Sequence, residues 1–291
     1  MRGAVAATAC YLLWGVVPLY WRLISGVDPV ELIAHRNLWS LALLTVLLAF
    51  QRAFGSMAAP LRTPRSLGIN ALSASLLTAN WLVYVWGVNT GHVIEASLGY
   101  FLVPLVNVAA ARYVLHEHLS RAQSVALVFA FIGVGIMMLQ LGRPPWVALM
   151  LAGSWGGYSL LRKRSPLPPV TGLAVETLLI APAAIAFLLW QNHTGKGMLG
   201  RVDFQTHLLV FSSGIITAIP LLLFAYAARR IRLSTLGLLQ YFSPTVQLAL
   251  GVWVFHEPFS RARFVGFGFI WAGLALYTAD NLWRQRRAAM R

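Results

Sequence analysis

The feature that most constrains this chain is a succession of apolar stretches about 18 to 24 residues long, separated by short polar breaks. A helix of that length crosses a hydrocarbon core about 30 Å thick. Ten stretches are predicted as spans, at residues 4–23, 30–50, 66–88, 93–115, 123–141, 146–161, 172–190, 208–228, 233–255 and 264–283. Charged residues make up 11% of the chain and hydrophobic ones 58%, against roughly 25% charged in soluble domains. The expected fold class is an all-α integral membrane protein, with the lipid bilayer as its solvent. Apart from residues 196–206, the breaks are too short to hold a soluble domain, which excludes a globular catalytic module.

A net charge of +15 would raise nucleic-acid binding in a soluble protein. Here the distribution argues otherwise. With the amino terminus in the cytoplasm, sixteen Lys and Arg fall in or beside cytoplasmic breaks and six on the other side, while Arg36 lies inside a span. Cytoplasmic loops carry this excess. The bias predicts a multi-pass protein of a bacterial-type inner membrane with both termini cytoplasmic and no nucleic-acid partner. The first stretch shows no convincing cleavage site and is expected to remain as a span. The single cysteine, Cys10, excludes an internal disulfide and reads as a small packed residue.

The phrase VLHEHLSRAQ, beginning at Val114, returns as VFHEPFSRAR, beginning at Val254. A shift of 140 residues aligns 97–138 with 237–278 without a gap and gives 13 identities in 42 positions, Pro104 with Pro244 among them. A shift of 141 places Trp14-Gly15 on Trp155-Gly156. The repeat therefore divides the chain into five-helix units at 1–143 and 144–291. Five is odd, so the second unit enters the membrane from the opposite side. Inverted repeats are the architecture expected of secondary transporters, whose halves exchange conformations around a central site.

Within the phrase, Ser120 and Ser260 suit N-capping, and Ser120 to Gln123 fits a capping box. Glu117 and Glu257 are expected to hold a structural turn, either by pairing with Arg121 and Arg261 or by accepting backbone N–H groups. Proton coupling is the competing role for these carboxylates.

HRNLWS in the second span, NWLVYVWGVN in the third, EASLGYFLVPLVN in the fourth and the repeated His-Glu turns resemble the RarD-type permeases of the EamA branch of the drug/metabolite transporter superfamily. The resemblance covers most of the chain. It implies ten helices as two inverted five-helix repeats and a role in solute efflux. The RarD label implies chloramphenicol tolerance, whereas other members of the branch export amino acids, aromatic ones included. The turn departs from the Gly-Glu commoner in the branch by placing His116 and His256 before the glutamates.

Polar groups within apolar spans point to where a solute could sit. Ser73, Asn80 and Tyr84 share one face of the third span, with Trp81 beside them. Such a strip of hydrogen-bonding groups and flat rings suits an amphipathic solute. Packing of Asn80 against a neighbouring helix is the alternative. Trp14, Trp155 and Tyr158, with Tyr100, Gln240 and Tyr241 beside the prolines of spans four and nine, complete the candidate lining. His35, Arg36, Glu95 and Glu176 are candidates for charge or proton coupling. Arg36 either binds a solute carboxylate or pairs with Asp28 or Glu31, and Glu95 either couples or caps its helix. Pro104 and Pro244 are candidate hinges.

No nucleotide loop, metal-ligand spacing or nucleophile–base pair is readable, so no enzyme activity, cofactor or metal is expected. The reading is a secondary transporter exporting small amphipathic metabolites by alternating access, amino acids ahead of chloramphenicol-type drugs. A non-transporting membrane enzyme or scaffold is the alternative of a different class. One chain carries the whole pathway, so a monomer is expected to suffice.

Overall fold

The computed structural model describes residues 2–24, 26–90, 92–139, 144–254 and 261–289; Glu257, with His256 and Ser260 of the second His-Glu turn, lies outside them. The described residues form twelve helices and no strand. They are α1 (Arg2–Leu23), α2 (Pro29–Phe50), α3 (Gly55–Arg62), α4 (Pro64–Asn89), α5 (Val93–Tyr113) and α6 (Arg121–Leu139). The remainder are α7 (Trp146–Arg164), α8 (Pro169–His193), α9 (Phe204–Ala228), α10 (Leu233–Leu239), α11 (Phe242–Trp253) and α12 (Arg261–Ala289). Helices α1, α2, α4, α6, α8 and α9 are long and apolar enough to cross a membrane. The other four expected stretches are helical too: α5, α7, α12 and, interrupted, α10 with α11. In lipid every backbone polar group must be satisfied internally, and helices achieve this within each segment.

The two repeat-related prolines behave differently. Pro104 lies inside a continuous α5, whereas Pro244 sits in the first turn of α11, where a missing N–H is tolerated. The chain breaks over Gln240 and Tyr241 between α10 and α11. Helix α5 supports the break: Asn107 Nδ2 donates to Gln240 Oε1 (3.1 Å) and the Tyr241 hydroxyl donates to the Phe101 carbonyl (3.3 Å).

Packing pairs α6 with α12, α5 with α7 and α10, α2 with α8 and α9, α1 with α9 and α11, and α4 with α7 and α8. Exchanging α1 with α7, α2 with α8, α4 with α9, α5 with α10/α11 and α6 with α12 returns the same pairings. The close approaches repeat as well. A Cβ on Gly15 would lie 2.6 Å from Val246, and one on Gly156 would lie 2.4 Å from Val106. Small residues let membrane helices pack closely where no hydrophobic force separates lipid from protein.

The His-Glu turn has a local explanation. His116 adopts φ 54°, the left-handed conformation that commonly ends a helix, and the Glu117 N–H closes back on the Ala111 carbonyl (2.8 Å). Glycine fits this conformation at least cost, and here a histidine makes the same turn. Ser120 and Gln123 form the reciprocal capping box of α6, Gln123 N–H to Ser120 Oγ (3.1 Å) and Ser120 N–H to Gln123 Oε1 (2.9 Å).

The Glu117 carboxylate does not pair with Arg121. It accepts from the Leu233 N–H (2.8 Å), the Ser234 N–H (3.2 Å) and the Ser234 hydroxyl (2.6 Å), tying the first half of the chain to the start of α10. Glu117→Ala is expected to lower stability by about 2 kcal/mol or more, because hydrogen bonds to a charged group are worth ~1.5–3 kcal/mol each. Thermal unfolding of detergent-solubilised protein, with Glu117→Gln losing less, checks it.

Candidate functional site

The helices surround a cavity of about 160 Å³. Helix α1 presents Tyr11, Trp14, Pro18 and Trp21 to it, residues at helical spacing on one face. Helix α4 contributes Asn80, Trp81 and Tyr84; α5 contributes Tyr100 and α7 contributes Trp155. Arg36 of α2, Thr217 of α9 and Gln240 at the α10–α11 break add polar groups, and α11 adds Pro244 and Gln247. The walls are largely aromatic. Trp14 meets Trp155 edge-on at 5.1 Å, and Tyr84 meets Tyr100 at 5.5 Å.

Three side chains of this lining each carry a buried polar atom with no protein partner among the described residues. Asn80 Nδ2 donates to the Leu151 carbonyl (2.9 Å) and to Ser154 Oγ (3.0 Å), so its amide binds α7 as well as lining the cavity. Its Oδ1 is unpartnered, as are the Tyr11 hydroxyl and Trp155 Nε1, on residues that are 0%, 0% and 5% exposed. Buried polar atoms are nearly always hydrogen-bonded in native proteins. Three such atoms, two donors and one acceptor, belong to side chains that line one cavity, although each atom is itself covered by protein.

Arg36 pairs with neither Asp28 nor Glu31. Its Nε donates to Thr217 Oγ1 (2.9 Å), and its guanidinium carbon lies 4.6 Å from the centroids of both Trp21 and Trp81. Asp28 instead caps α2 by accepting from Val30 and Glu31 N–H groups (2.9 Å each), and Glu31 accepts from the Met198 N–H (2.8 Å).

Toward the carboxyl end of α7 the cavity is closed. Tyr158 stacks on Phe224 (5.9 Å, 17°) one turn beyond Trp155, and both rings are fully buried. Behind them the Glu176 carboxylate accepts from Ser73 (2.6 Å), Arg162 Nη1 (3.3 Å) and the Tyr158 hydroxyl (3.4 Å). Ser73 and Tyr158 thus meet Glu176 rather than the cavity, although Ser73 shares a helix face with Asn80. Two turns of helix separate those residues, and Ser73 joins Tyr158, Phe224, Arg162 and Glu176 in a plug that closes this end. Arg162 and Glu176 are 1% and 2% exposed. Gly172 provides the room, since a Cβ there would lie 2.2 Å from Arg162 Nη1.

The remaining candidates lie elsewhere. Tyr241 is 1% exposed and engaged with α5, and Pro104 is inside α5 outside the cavity wall. Glu95, 1% exposed, accepts from the Val147 N–H (3.3 Å) and so bonds the first turn of α7. His35 lies 3.9 Å from Glu31 beside a second hollow with His207, Trp39 and Phe204.

Sequence reasoning missed Tyr11, Trp21 and Thr217 in the cavity and Arg162 beneath it. The first two were readable from their spacing about Trp14. Arg162 was hidden within Arg-Lys-Arg, a run that resembles a simple cytoplasmic charge cluster. In the structure Lys163 donates to the Ile231 carbonyl and Arg164 to the Val114 carbonyl (2.9 Å), while only Arg162 turns inward.

Comparison with known proteins completes the description. Residues 1–139 and 145–279 each match the EamA-like transporter family. The chain is 42% identical over 289 residues to Protein RarD of Streptomyces exfoliatus, covering 99% of this chain and 92% of that one. It is 37% identical over 288 residues to Protein RarD of Escherichia coli K12, covering 99% and 97% respectively. A solved crystal structure that is 19% identical, covering 95% of this chain and 97% of its own, superposes with a TM-score of 0.72, which shows a shared fold. With both halves matched by the family model and nearly the whole chain by the RarD relatives, this multi-pass membrane protein belongs to the EamA-like transporter family as a RarD-type permease.

Proposed function

We propose that this permease exports small amphipathic metabolites, neutral amino acids foremost and aromatic ones among them, across the bacterial inner membrane by alternating access. The observation that carries the reading is the aromatic cavity with unpartnered polar atoms on Tyr11, Asn80 and Trp155. An apolar body fits the rings, and a polar end fits the unpartnered donors and acceptor once the side chains that cover them shift.

The exchange-related helix pairings and the repeated Gly–Val contacts support two five-helix repeats, near 1–143 and 144–291, that rock against each other. The Lys and Arg bias supports cytoplasmic termini. The plug of Tyr158, Phe224, Arg162 and Glu176 then faces the cytoplasm, and the cavity belongs to a state closed on that side. Export requires a second state in which the plug parts.

Counterflow of labelled phenylalanine, leucine and chloramphenicol in proteoliposomes, with and without an imposed proton gradient, tests the proposal. Saturable exchange of the amino acids is expected. Tyr11→Phe and Trp155→Phe each remove an unpartnered donor without breaking a protein hydrogen bond. Each should weaken apparent affinity about tenfold, the effect of ~1.4 kcal/mol. Tyr11→Phe should leave the unfolding temperature nearly unchanged, whereas Trp155→Phe should lower it, because the smaller ring leaves a void beside Trp14, Tyr158 and Phe224. Flux of chloramphenicol alone would replace the metabolite reading with drug efflux.

A further inference from the structure

We infer that Arg36 is a carboxylate-binding subsite that selects solutes bearing one carboxylate, zwitterionic amino acids included, over solutes of the same shape that lack one. The inference rests on reading the cavity as the solute site and names the chemistry that this site requires.

Among the described residues that line the cavity, Arg36 supplies the only formal charge. A guanidinium has five N–H donors. Only Nε is engaged, with Thr217, and no carboxylate lies within ion-pair reach among the described residues. A cation inside a membrane-spanning bundle ordinarily pairs with an anion or with carbonyls. Trp21 and Trp81, both 4.6 Å from the guanidinium carbon, attract the cation electrostatically and fix its plane, but their faces accept no in-plane hydrogen bond. The unused N–H groups are therefore held, partly desolvated, in a fork that matches two carboxylate oxygens.

The opposite polarity is supplied separately. Asn80 Oδ1 is an open acceptor suited to an ammonium or hydroxyl donor, and Trp81 of the same helix flanks Arg36. A single guanidinium without a second cation in the lining suits one negative charge better than a phosphate dianion. The described residues of the lining include no Asp or Glu, so a solute carrying only positive charge finds no counter-ion among them.

The test uses purified full-length protein in detergent and follows tryptophan emission, to which Trp21 and Trp81 contribute. The probes are 3-phenylpropionate, its neutral amide and 3-phenylpropylamine. The acid should bind saturably and at least about tenfold more tightly than amide or amine, the scale of a charge-assisted bidentate contact. Arg36→Gln should abolish that preference, and Arg36→Lys should retain it in weakened form. Equal binding of acid and amide by the wild type, absent acid binding, or an unchanged preference in a folded Arg36→Gln protein would overturn the inference. Because the wild-type comparison needs no variant, misfolding of Arg36→Gln leaves the decision intact. Acid preference without flux in proteoliposomes would support the subsite and remove the exporter reading. Saturable flux without acid preference would do the reverse.

Discussion

Glu176→Leu lowers the stability of the folded protein by about 3–5 kcal/mol, the cost of breaking a buried ion pair by removing one partner. The expectation follows from the surroundings of the side chain left behind. Arg162 is 1% exposed, and its Nε and Nη2 already lack hydrogen-bond partners, so loss of the carboxylate leaves a buried guanidinium almost wholly uncompensated. Guanidinium does not deprotonate in proteins. The reciprocal change, Arg162→Leu, should cost less, because a glutamate can take a proton and keep its bonds with Ser73 and Tyr158. The double replacement Arg162→Leu with Glu176→Leu should recover much of the loss, since apolar residues can substitute for a buried pair at little net cost. Thermal unfolding of the three variants checks the order: Glu176→Leu worst, Arg162→Leu next, the double variant best. Equal loss in both single variants would show that packing, not charge, dominates the plug. The same plug predicts a kinetic phenotype, with the double variant changing the rate of solute exchange even where its stability is recovered.

Gly214→Ala is the second large effect, expected to cost about 1–3 kcal/mol or more and to slow transport. A Cβ at Gly214 would lie 2.4 Å from the Trp39 carbonyl carbon, 2.5 Å from Trp39 Cβ and 2.7 Å from the Ser40 nitrogen. Two of these atoms are backbone, so no rotamer change relieves the overlap and α2 must move away from α9. That movement stretches the Ser40 hydroxyl bond to the Gly214 carbonyl (3.1 Å) and disturbs the Arg36–Thr217 contact between the same helices. Gly135→Ala and Gly153→Ala are the matched controls, because a Cβ at either position meets nothing within 4 Å. These should be neutral or gain up to about 1 kcal/mol from helix propensity. A Gly214→Ala protein as stable as the controls would show that α2 and α9 are not rigidly apposed.

What the sequence determined by itself was where the long helices lie, the repeated phrase and the capping of its turn. The short α3 and the break between α10 and α11 were not legible in it. Spanning segments must satisfy their own backbone, so length and apolarity sufficed to predict where α1, α2 and α9 lie. Turn chemistry is local, and so the Ser120–Gln123 capping box was legible from four consecutive residues, including the arrangement of its bonds. What only the tertiary structure decided was which face of each helix meets which neighbour. These helices are apolar nearly all round, with lipid on one side and protein on the other, and carry no amphipathic stripe that fixes their rotation. Asn80 and Ser73 share a face in sequence, yet one reaches the cavity and the other reaches Glu176 within the plug. Arg36 and Arg162 are both cations by sequence. Packing gives Arg162 a buried carboxylate and leaves Arg36 between two indoles, because the partner of a charge is set by contacts between different helices and by helix rotation, neither of which a local pattern encodes.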